Sequence, residues 1–409
     1  MQDRQDVLWA KKAYIDGSYY WLPLLVHLED TMNTAGWLWN HWMTEGQRQN
    51  LVNQMNIQDE NLAESTIRFL GAVHDIGKAT PVFQIEKGFS SSEDLNQQLL
   101  DRLERAGYKG ISNLVLASSR DTKHALAGEV ILSGFGVKDD LTSIVGAHHG
   151  KPIDDVSQCE EQEGYPANYY QTEDEFSEIY CKWKETQQKI FYWAMEECGF
   201  SEVDDLPEFS RPAQVLLSGL LIMADWIASN TEIFPLLPLE QLYVTDKKRR
   251  FADGMQRWNK VLPLEIEEPK DGVVLFRNRF GFSPRGFQKV IFDTVHMIHD
   301  PGIVIIEAPT GGGKTEAALA AAEQLAAKTN RSGLFFGLPT QATSNGIFPR
   351  ILRWLESVTS EYGNVSIRLV HGKAALNKDM QKLSACSHTD IDEGSDAGVL
   401  VNERLSGRT

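Results

Sequence analysis

The 409-residue sequence predicts a multidomain chain: an all-α domain followed by an α/β nucleotide-binding segment. Three observations carry that prediction. Residues 10–230 set histidines and aspartates inside apolar stretches with helical spacing. Near residue 280 the texture changes, and the apolar run Ile303-Val304-Ile305-Ile306 precedes a glycine-rich turn ending in Lys-Thr and then an alanine-rich helix through about Lys328. The length also exceeds what one core usually spans, while a hydrophobic content of 42% is ordinary for a folded chain.

In the helical part, Trp37-Leu38-Trp39-Asn40-His41-Trp42 and the run from Val215 to Leu221 have the aromatic and aliphatic spacing of packed helices. Their tryptophans are assigned to the core rather than to stacking on bases. Among these stretches lie His27, the adjacent pair His74-Asp75, His124, the pair His148-His149, and Asp225. Neighbouring helical residues point in neighbouring directions, so an imidazole and a carboxylate such as His74 and Asp75 can reach one cavity. One histidine on an apolar face is more often a satisfied core residue than a ligand. The set reads differently, because Asp225 inside an apolar run is costly to bury unless something compensates its charge. Metal coordination does so. Imidazole nitrogen with carboxylate oxygen suits manganese, iron, cobalt, nickel or zinc, and a bridging Asp75 could hold two ions about 3.5–4 Å apart, an arrangement suited to phosphodiester cleavage.

The order His, His-Asp, His, His-His, Asp, with the words Ala147-His148-His149-Gly150 and Ala224-Asp225-Trp226-Ile227-Ala228-Ser229-Asn230, resembles the HD nuclease domain of the CRISPR-associated nuclease-helicase of type I interference systems. The wording is most similar to the I-E subtype, and the resemblance covers the whole chain. It implies an all-α HD-type metal phosphohydrolase domain. One ion would be held by His27, His74, Asp75 and Asp225, the other by Asp75, His124, His148 and His149, with Asp75 bridging. The two divalent transition-metal ions (manganese, iron, cobalt or nickel) would supply a nucleophile near neutral pH and charge for the leaving oxygen. Lys78 would steady the extra phosphate charge and Ser229 would contact a phosphate oxygen. Their plainer readings are an exposed helix-end lysine and a serine bonded to its own helix.

The second region centres on Glu307-Ala308-Pro309-Thr310-Gly311-Gly312-Gly313-Lys314-Thr315. Thr310 opens the turn, Gly311, Gly312 and Gly313 let backbone N–H groups close around phosphate oxygens, Lys314 reaches the terminal phosphates, and Thr315 can ligate magnesium. The following helix adds its dipole. Ala308 stands where the general phosphate loop has glycine, and the form found here resembles superfamily 2 helicases. That resemblance implies a RecA-like lobe that takes ATP and magnesium. Gln288, in Phe282-Ser283-Pro284-Arg285-Gly286-Phe287-Gln288, would read the adenine edge, or sit in an ordinary turn into a helix. Leu334 to Leu338 reads as the next strand, and Thr340, Gln341 and Thr343 resemble the first DNA-contacting motif of these motors, binding backbone without reading sequence. Leu369-Val370-His371-Gly372 reads as a further strand.

Such motors also need an acidic strand-end motif and a second lobe with arginine fingers. Asp392-Glu393 lacks a preceding apolar strand and reads as a polar loop, so the expectation is a partial α/β RecA-like helicase lobe, unable to hydrolyse ATP or unwind DNA alone. A sheet of a few strands would leave an apolar edge exposed beyond about residue 280.

The expected division is 1–230 for the HD nuclease domain, 231–275 for a linker punctuated by Pro235, Pro238, Pro263 and Pro269, and 276–409 for the incomplete lobe. The basic cluster Lys247 to Arg250 reads as a solvated linker helix. Residues 1–230 hold 18 Lys plus Arg against 36 Asp plus Glu, whereas 231–409 are nearly neutral. An acidic nuclease repels nucleic acid at long range, so its DNA must be delivered by the motor or a partner; plain solubility is the alternative source of that charge. The polar N-terminus and the lack of eighteen consecutive apolar residues exclude a signal or membrane span and make the cytoplasm the expected compartment. Cys159, Cys181, Cys198 and Cys386 lack the spacing of a zinc site or disulfide framework.

The resemblance therefore implies a monomeric, metal-dependent endo/exonuclease acting on single-stranded DNA exposed in an R-loop by a type I CRISPR surveillance complex, through the large subunit of that complex. In the full-length protein it would be coupled to an ATP-dependent 3′-to-5′ helicase. Two alternatives stand beside it: an HD-family nucleotide phosphohydrolase with a closed, base-recognising pocket, and a non-catalytic DNA- or partner-binding fragment.

Overall fold

The computed structural model describes residues 7–87, 91–116, 118–150, 157–244, 246–258, 266–298, 302–331 and 333–362, with 367, 369, 370 and 377. The chain opens on a hairpin rather than on the helix expected from residue 10. Strand β1 (Trp9–Ile15) pairs antiparallel with β2 (Ser18–Pro23), and Asp16 and Gly17 turn the chain with φ of 49° and 82°. An Asp-Gly pair takes that left-handed conformation readily, and its twist matches the strands.

Helices follow: α1 (Leu24–Trp37), α2 (Glu45–Gln54), α3 (Glu60–Val73), α4 (Pro81–Gln84), α5 (Glu93–Arg105), α6 (His124–Gly134), α7 (Asp139–Gly146), α8 (Ser157–Glu161), α9 (Pro166–Tyr170), α10 (Glu178–Glu197) and α11 (Arg211–Ser229). Most of their apolar faces share one core, with Leu28, Met32, Phe69, Val73, Ile131, Val145, Phe191 and Leu221 all buried, while Phe83, Leu95 and Leu99 of α4 and α5 pack with Trp9 and Trp21 in a second cluster. Helices α1 and α3 approach closely because residue 71 is glycine: a Cβ there would lie 2.9 Å from Met32 Cα. By length and composition α11 could cross a membrane, but its inner face, Leu217, Leu220, Leu221, Ala224 and Asp225, is packed into this core.

The chain divides into two compact units, Met1–Met43 with Arg48–Asn259, and Thr44–Gln47 with Lys260–Thr409. Much of the stretch read as a linker therefore lies within the first unit. There β3 (Leu237–Pro238) adds a third strand to β2, and α12 (Lys247–Arg257) is held by Arg250, whose Nη2 and Nε lie 2.9 Å from Asp30 Oδ2. The basic cluster is partly structural for that reason.

In the second unit, α13 (Gly272–Phe280), α14 (Gly286–His296), α15 (Lys314–Lys328) and α16 (Gln341–Tyr362) bury Phe276, Phe292, Leu319, Ala320 and Trp354. Arg279 Nη2 donates to Glu323 Oε1 at 2.8 Å, and Trp354 Nε1 donates to Glu323 Oε2 at 3.2 Å. The buried strands expected at Ile303–Ile306 and Leu334–Leu338 are not formed: no ladder joins them among the described residues, and Ile303, Ile305 and Phe335 are 93%, 80% and 91% exposed. A strand is held by its neighbours' N–H and C=O groups, and neither run has such a neighbour there. Val370 is likewise exposed, while His371, Gly372, Cys386 and Asp392-Glu393 lie outside the described residues.

Candidate metal centre

Asp75 sits just past α3, ahead of a single 3-10 turn, Ile76–Lys78, that carries Lys78. The turn is pressed against the start of α6. A Cβ on Gly77 would lie 1.9 Å from the carbonyl oxygen of His124, so only glycine brings Asp75 and His124 this close. Thr80 Oγ1 donates to Gly77 O at 2.7 Å and fixes the turn from the other side.

Around Asp75 the fold gathers all seven candidate ligands. Asp75 Oδ2 lies 3.0 Å from His27 Nε2 and 3.4 Å from His74 Nε2, while Asp75 Oδ1 lies 3.6 Å from His124 Nε2 and 3.5 Å from His148 Nε2. The two carboxylate oxygens thus face two different histidine pairs. Asp225, one face of α11, joins the first pair, its Oδ1 3.4 Å from both His27 Nε2 and His74 Nε2. His149 joins the second, its Nε2 2.7 Å from His124 Nε2. The outer nitrogens of two rings are occupied by backbone: His74 Nδ1 pairs with Gly71 O at 2.9 Å and His148 Nδ1 with Val145 O at 2.6 Å. Each such bond fixes the Nδ1 proton and turns Nε2 toward Asp75.

The electrostatics are those of a crowded, dry cluster. Burial lowers the His27 pKa and pushes that of His124 down to about 3, where Lys78, His148 and His149 also oppose a charge. Burial and His148 lower that of His149. Burial also opposes a charge on His74, but the pull of Asp75 and the bonds to Asp225 and Asp75 overcome it and raise the ring to about 10. Burial disfavours both carboxylates, yet Lys78 and His74 hold Asp75, and His27 and His74 hold Asp225, well below the usual carboxylate range.

The donor set fits divalent metal. His27 Nε2, His74 Nε2 and Asp75 Oδ1 are buried with no hydrogen-bond partner, a costly condition for an ordinary core and the natural one for ligand atoms. Two groups are close enough to hold an ion, His27 with His74 and Asp75, and His124 with His148 and His149, each with its ligand atoms within 4.8 Å of one another.

The remaining candidates are placed less simply. Lys78 is 8% exposed, with Nζ 2.5 Å from Asp75 Oδ2, so it is no surface lysine. Ser229 Oγ donates to Asp225 Oδ1 at 2.8 Å, which directs it at the carboxylate within its own helix. In the second unit Gly311 and Gly313 take φ of 76° and 94° and α15 starts at Lys314, so the loop-to-helix turn through Thr310, Gly312 and Thr315 is present. Lys314 Nζ folds back to Ala308 O at 2.5 Å. Gln288 accepts from Arg285 N at 2.8 Å and donates to Gly313 O at 3.0 Å, so it braces the phosphate loop. Thr343 N donates to Thr340 Oγ1 at 3.2 Å and Thr343 Oγ1 to Thr340 O at 2.8 Å, a helix-start pattern that engages both threonines and leads into Gln341. Sequence reasoning missed Gln84 and Lys11, which reach the centre from outside; the Asp16-Gly17 turn was the available signal for the hairpin that carries Lys11.

Comparison with known proteins places this geometry. The family described as Cas3, HD domain, matches residues 9–234. A CRISPR-associated nuclease/helicase Cas3 of Streptococcus thermophilus is 50% identical over 411 residues, covering 100% of this chain and 44% of that protein. The crystal structure of T. fusca Cas3 superposes with a TM-score of 0.65 at 25% identity, over 92% of this chain and 40% of that one. A chain of a CRISPR RNA-guided surveillance complex, pre-nicking, shares the fold, with a TM-score of 0.53 at 23% identity over 84% of this chain and 37% of its own. The chain thus spans less than half the length of the relatives it matches, and its helical HD domain is followed by part of a helicase lobe. Six ligand-type side chains gathered around one aspartate, in a domain matched from residue 9 to 234, identify the chain as a member of the Cas3 HD-domain family.

Proposed function

We propose that this chain is a metal-dependent DNA nuclease, cutting single strands that a type I, I-E-like, CRISPR surveillance complex exposes in an R-loop, and serving in a longer protein beside an ATP-driven 3′-to-5′ motor. The observation that carries the reading is the split of Asp75: one oxygen toward His27 and His74, the other toward His124 and His148. A carboxylate so placed suits two ions, manganese, iron, cobalt or nickel, held by His27, His74 and Asp225 on one side and His124, His148 and His149 on the other. Bound there, the ions would supply Lewis acidity toward a phosphodiester and a nucleophile near neutral pH.

The chain's own residues do the rest. Gly71 O and Val145 O hold the Nδ1 protons of His74 and His148, which aims the Nε2 atoms into the cluster, where a metal would displace any proton they carry. Lys78, the nearest cation to Asp75, supplies positive charge beside an incoming phosphate. Ser229 orients Asp225. The phosphate-loop turn supports ATP and magnesium binding once the rest of the motor is present, and the acidity of residues 1–230 supports delivery of DNA by a partner complex rather than free encounter. The fold shared with a chain of a CRISPR RNA-guided surveillance complex supports that same partner.

The test is cleavage of circular single-stranded DNA by the purified chain with manganese, cobalt or nickel, with and without ATP. Metal-dependent cutting indifferent to ATP is expected. Metal binding without any cutting, joined to hydrolysis of free nucleotides, would transfer the assignment to a nucleotide phosphohydrolase.

A further inference from the structure

Strand β1 reaches the metal centre at two points. Trp9 N donates to Gln84 Oε1 at 3.1 Å, and Gln84 Nε2 donates to Trp9 O and to Lys78 O, both at 2.9 Å. One buried amide thereby ties the strand to the turn that carries Asp75. Two residues on, Lys11 Nζ donates to the backbone oxygen of Ser229 at 2.8 Å. Ser229 is the last residue of α11, whose final carbonyls have no intrahelical donor, and a cation there is favoured by the helix dipole. The same Ser229 donates through Oγ to Asp225 Oδ1 at 2.8 Å.

The local backbone supports a dedicated role. The β1–β2 register shifts between Trp9 and Lys11, and an irregularity of this kind re-aims a side chain. Lys11 is only partly exposed, and burial with the nearby Lys78 lowers its pKa to about 8 against the pull of Asp225 and Asp75. A lysine with no task would keep its ammonium in water, where it is better solvated.

We propose that Lys11 is a positioning residue of the metal centre: by fixing the end of α11 through Ser229, it holds Asp225 against His27 and His74 and so sets metal affinity on that side. The proposal rests on the metal-nuclease reading above. Lys11 touches a carbonyl rather than a ligand atom, so its loss leaves every ligand present but one of them loose. Outer partners that orient ligands are typically worth about 10–100-fold in metal affinity.

The experiment is a manganese titration of the full metal-free chain against a competing fluorescent chelator. It compares wild type, Lys11→Met, Lys11→Arg, Asp225→Ala and the Lys11→Met/Asp225→Ala double variant, with thermal melting of each metal-free protein. Lys11→Met is expected to weaken manganese about ten-fold or more, Lys11→Arg to recover most of the loss, and Lys11→Met to add nothing once Asp225 is gone. Unchanged affinity in Lys11→Met, or an equal loss in the Asp225→Ala background, overturns the proposal. If metal-free Lys11→Met melts too early to titrate, Lys11→Gln against Lys11→Arg below both melting points decides by the same criterion. A wild type that binds no manganese refutes the underlying metal reading, and this proposal with it, a result distinct from equal binding by wild type and variant.

Discussion

Leu24, Val26 and Leu28 flank His27 and are all buried; Ile303 and Ile305, in a run at least as apolar ahead of the phosphate loop, lie open to solvent. The difference lies in what each kind of element needs. A helix satisfies its own backbone and asks only that one face be covered, which α1, α3, α6, α7, α10 and α11 do for one another around a single core. A parallel strand needs a hydrogen-bonded neighbour on each side before its side chains can be buried. The helices of the second unit still pack, through Phe276, Phe292 and the buried Arg279–Glu323 pair. The candidate metal cluster is therefore assembled within the first unit, whereas in the second the phosphate loop has its helix but no strand ladder among the described residues.

The hardest test of this contrast removes the residue on which the first unit converges. Asp75→Ala takes away both carboxylate oxygens that face the four histidines, and cleavage is expected to fall to background in every metal, with manganese content measured by elemental analysis falling too. Retained cutting would mean that the reaction is not centred on Asp75. Next in size is a matched pair of truncations. Phe69 is fully buried against Phe191 and Phe200, so Phe69→Ala is expected to cost about 3–5 kcal/mol in urea unfolding. Phe335→Ala, at an exposed site, should stay within about 0.5 kcal/mol. Similar costs at the two sites would show that Phe335 is covered in solution.

Gly77→Ala sharpens the comparison further, because it adds one methyl group where the site depends on close approach. The new Cβ would meet His124 O at 1.9 Å and Gly128 N at 2.6 Å, both backbone atoms that yield only if the turn and α6 separate. A loss of about 3 kcal/mol is expected, with a weakened metal site because Asp75 and His124 move apart. An alanine variant that melts and binds manganese like the wild type would show that the two segments slide past each other freely.

Much of the first unit was legible because it is local. The order of His27, His74-Asp75, His124, His148-His149 and Asp225 is visible in the sequence, and helical spacing says which faces turn inward. What periodicity does not convey is distance across the fold: nothing near Lys11 points to Ser229, 218 residues on, and Gln84 in Pro81–Gln84 looks like any polar helix end. The hairpin was missed although Asp16-Gly17 is a strong turn signal, since the apolar run that follows into α1 reads as helix throughout. The stretch after residue 230 was read as a linker for a similar reason. The prolines break helices but do not prevent Leu237–Pro238 from pairing with β2, or Arg250 from reaching Asp30. Ser229 and Gln288 were each read two ways, as a ligand contact or as a residue engaged locally, and local geometry engages both, and Thr343, within the chain.

The smallest expected effect lies inside the well-packed unit and shows that its packing is not uniformly favourable. Glu129 on α6 is half-buried, its Oε2 has no hydrogen-bond partner, and it presses against Gly146, the last residue of α7, where a helix dipole disfavours negative charge. Burial, with Asp139 adding to it, raises its pKa to about 7. A carboxyl whose folded pKa lies above its unfolded value binds its proton more tightly when folded. Its contribution to stability is therefore complete below about pH 4.5 and is lost as pH rises through about 7. Glu129→Gln keeps the shape without the charge. It should flatten this part of the pH dependence and leave the variant more stable than wild type above pH 7, by about 1 kcal/mol once solvent screening of a half-exposed group is allowed for. Urea unfolding of the metal-free chain from pH 4.5 to 8 measures the difference directly, and parallel curves would mean that Glu129 is as well solvated folded as unfolded.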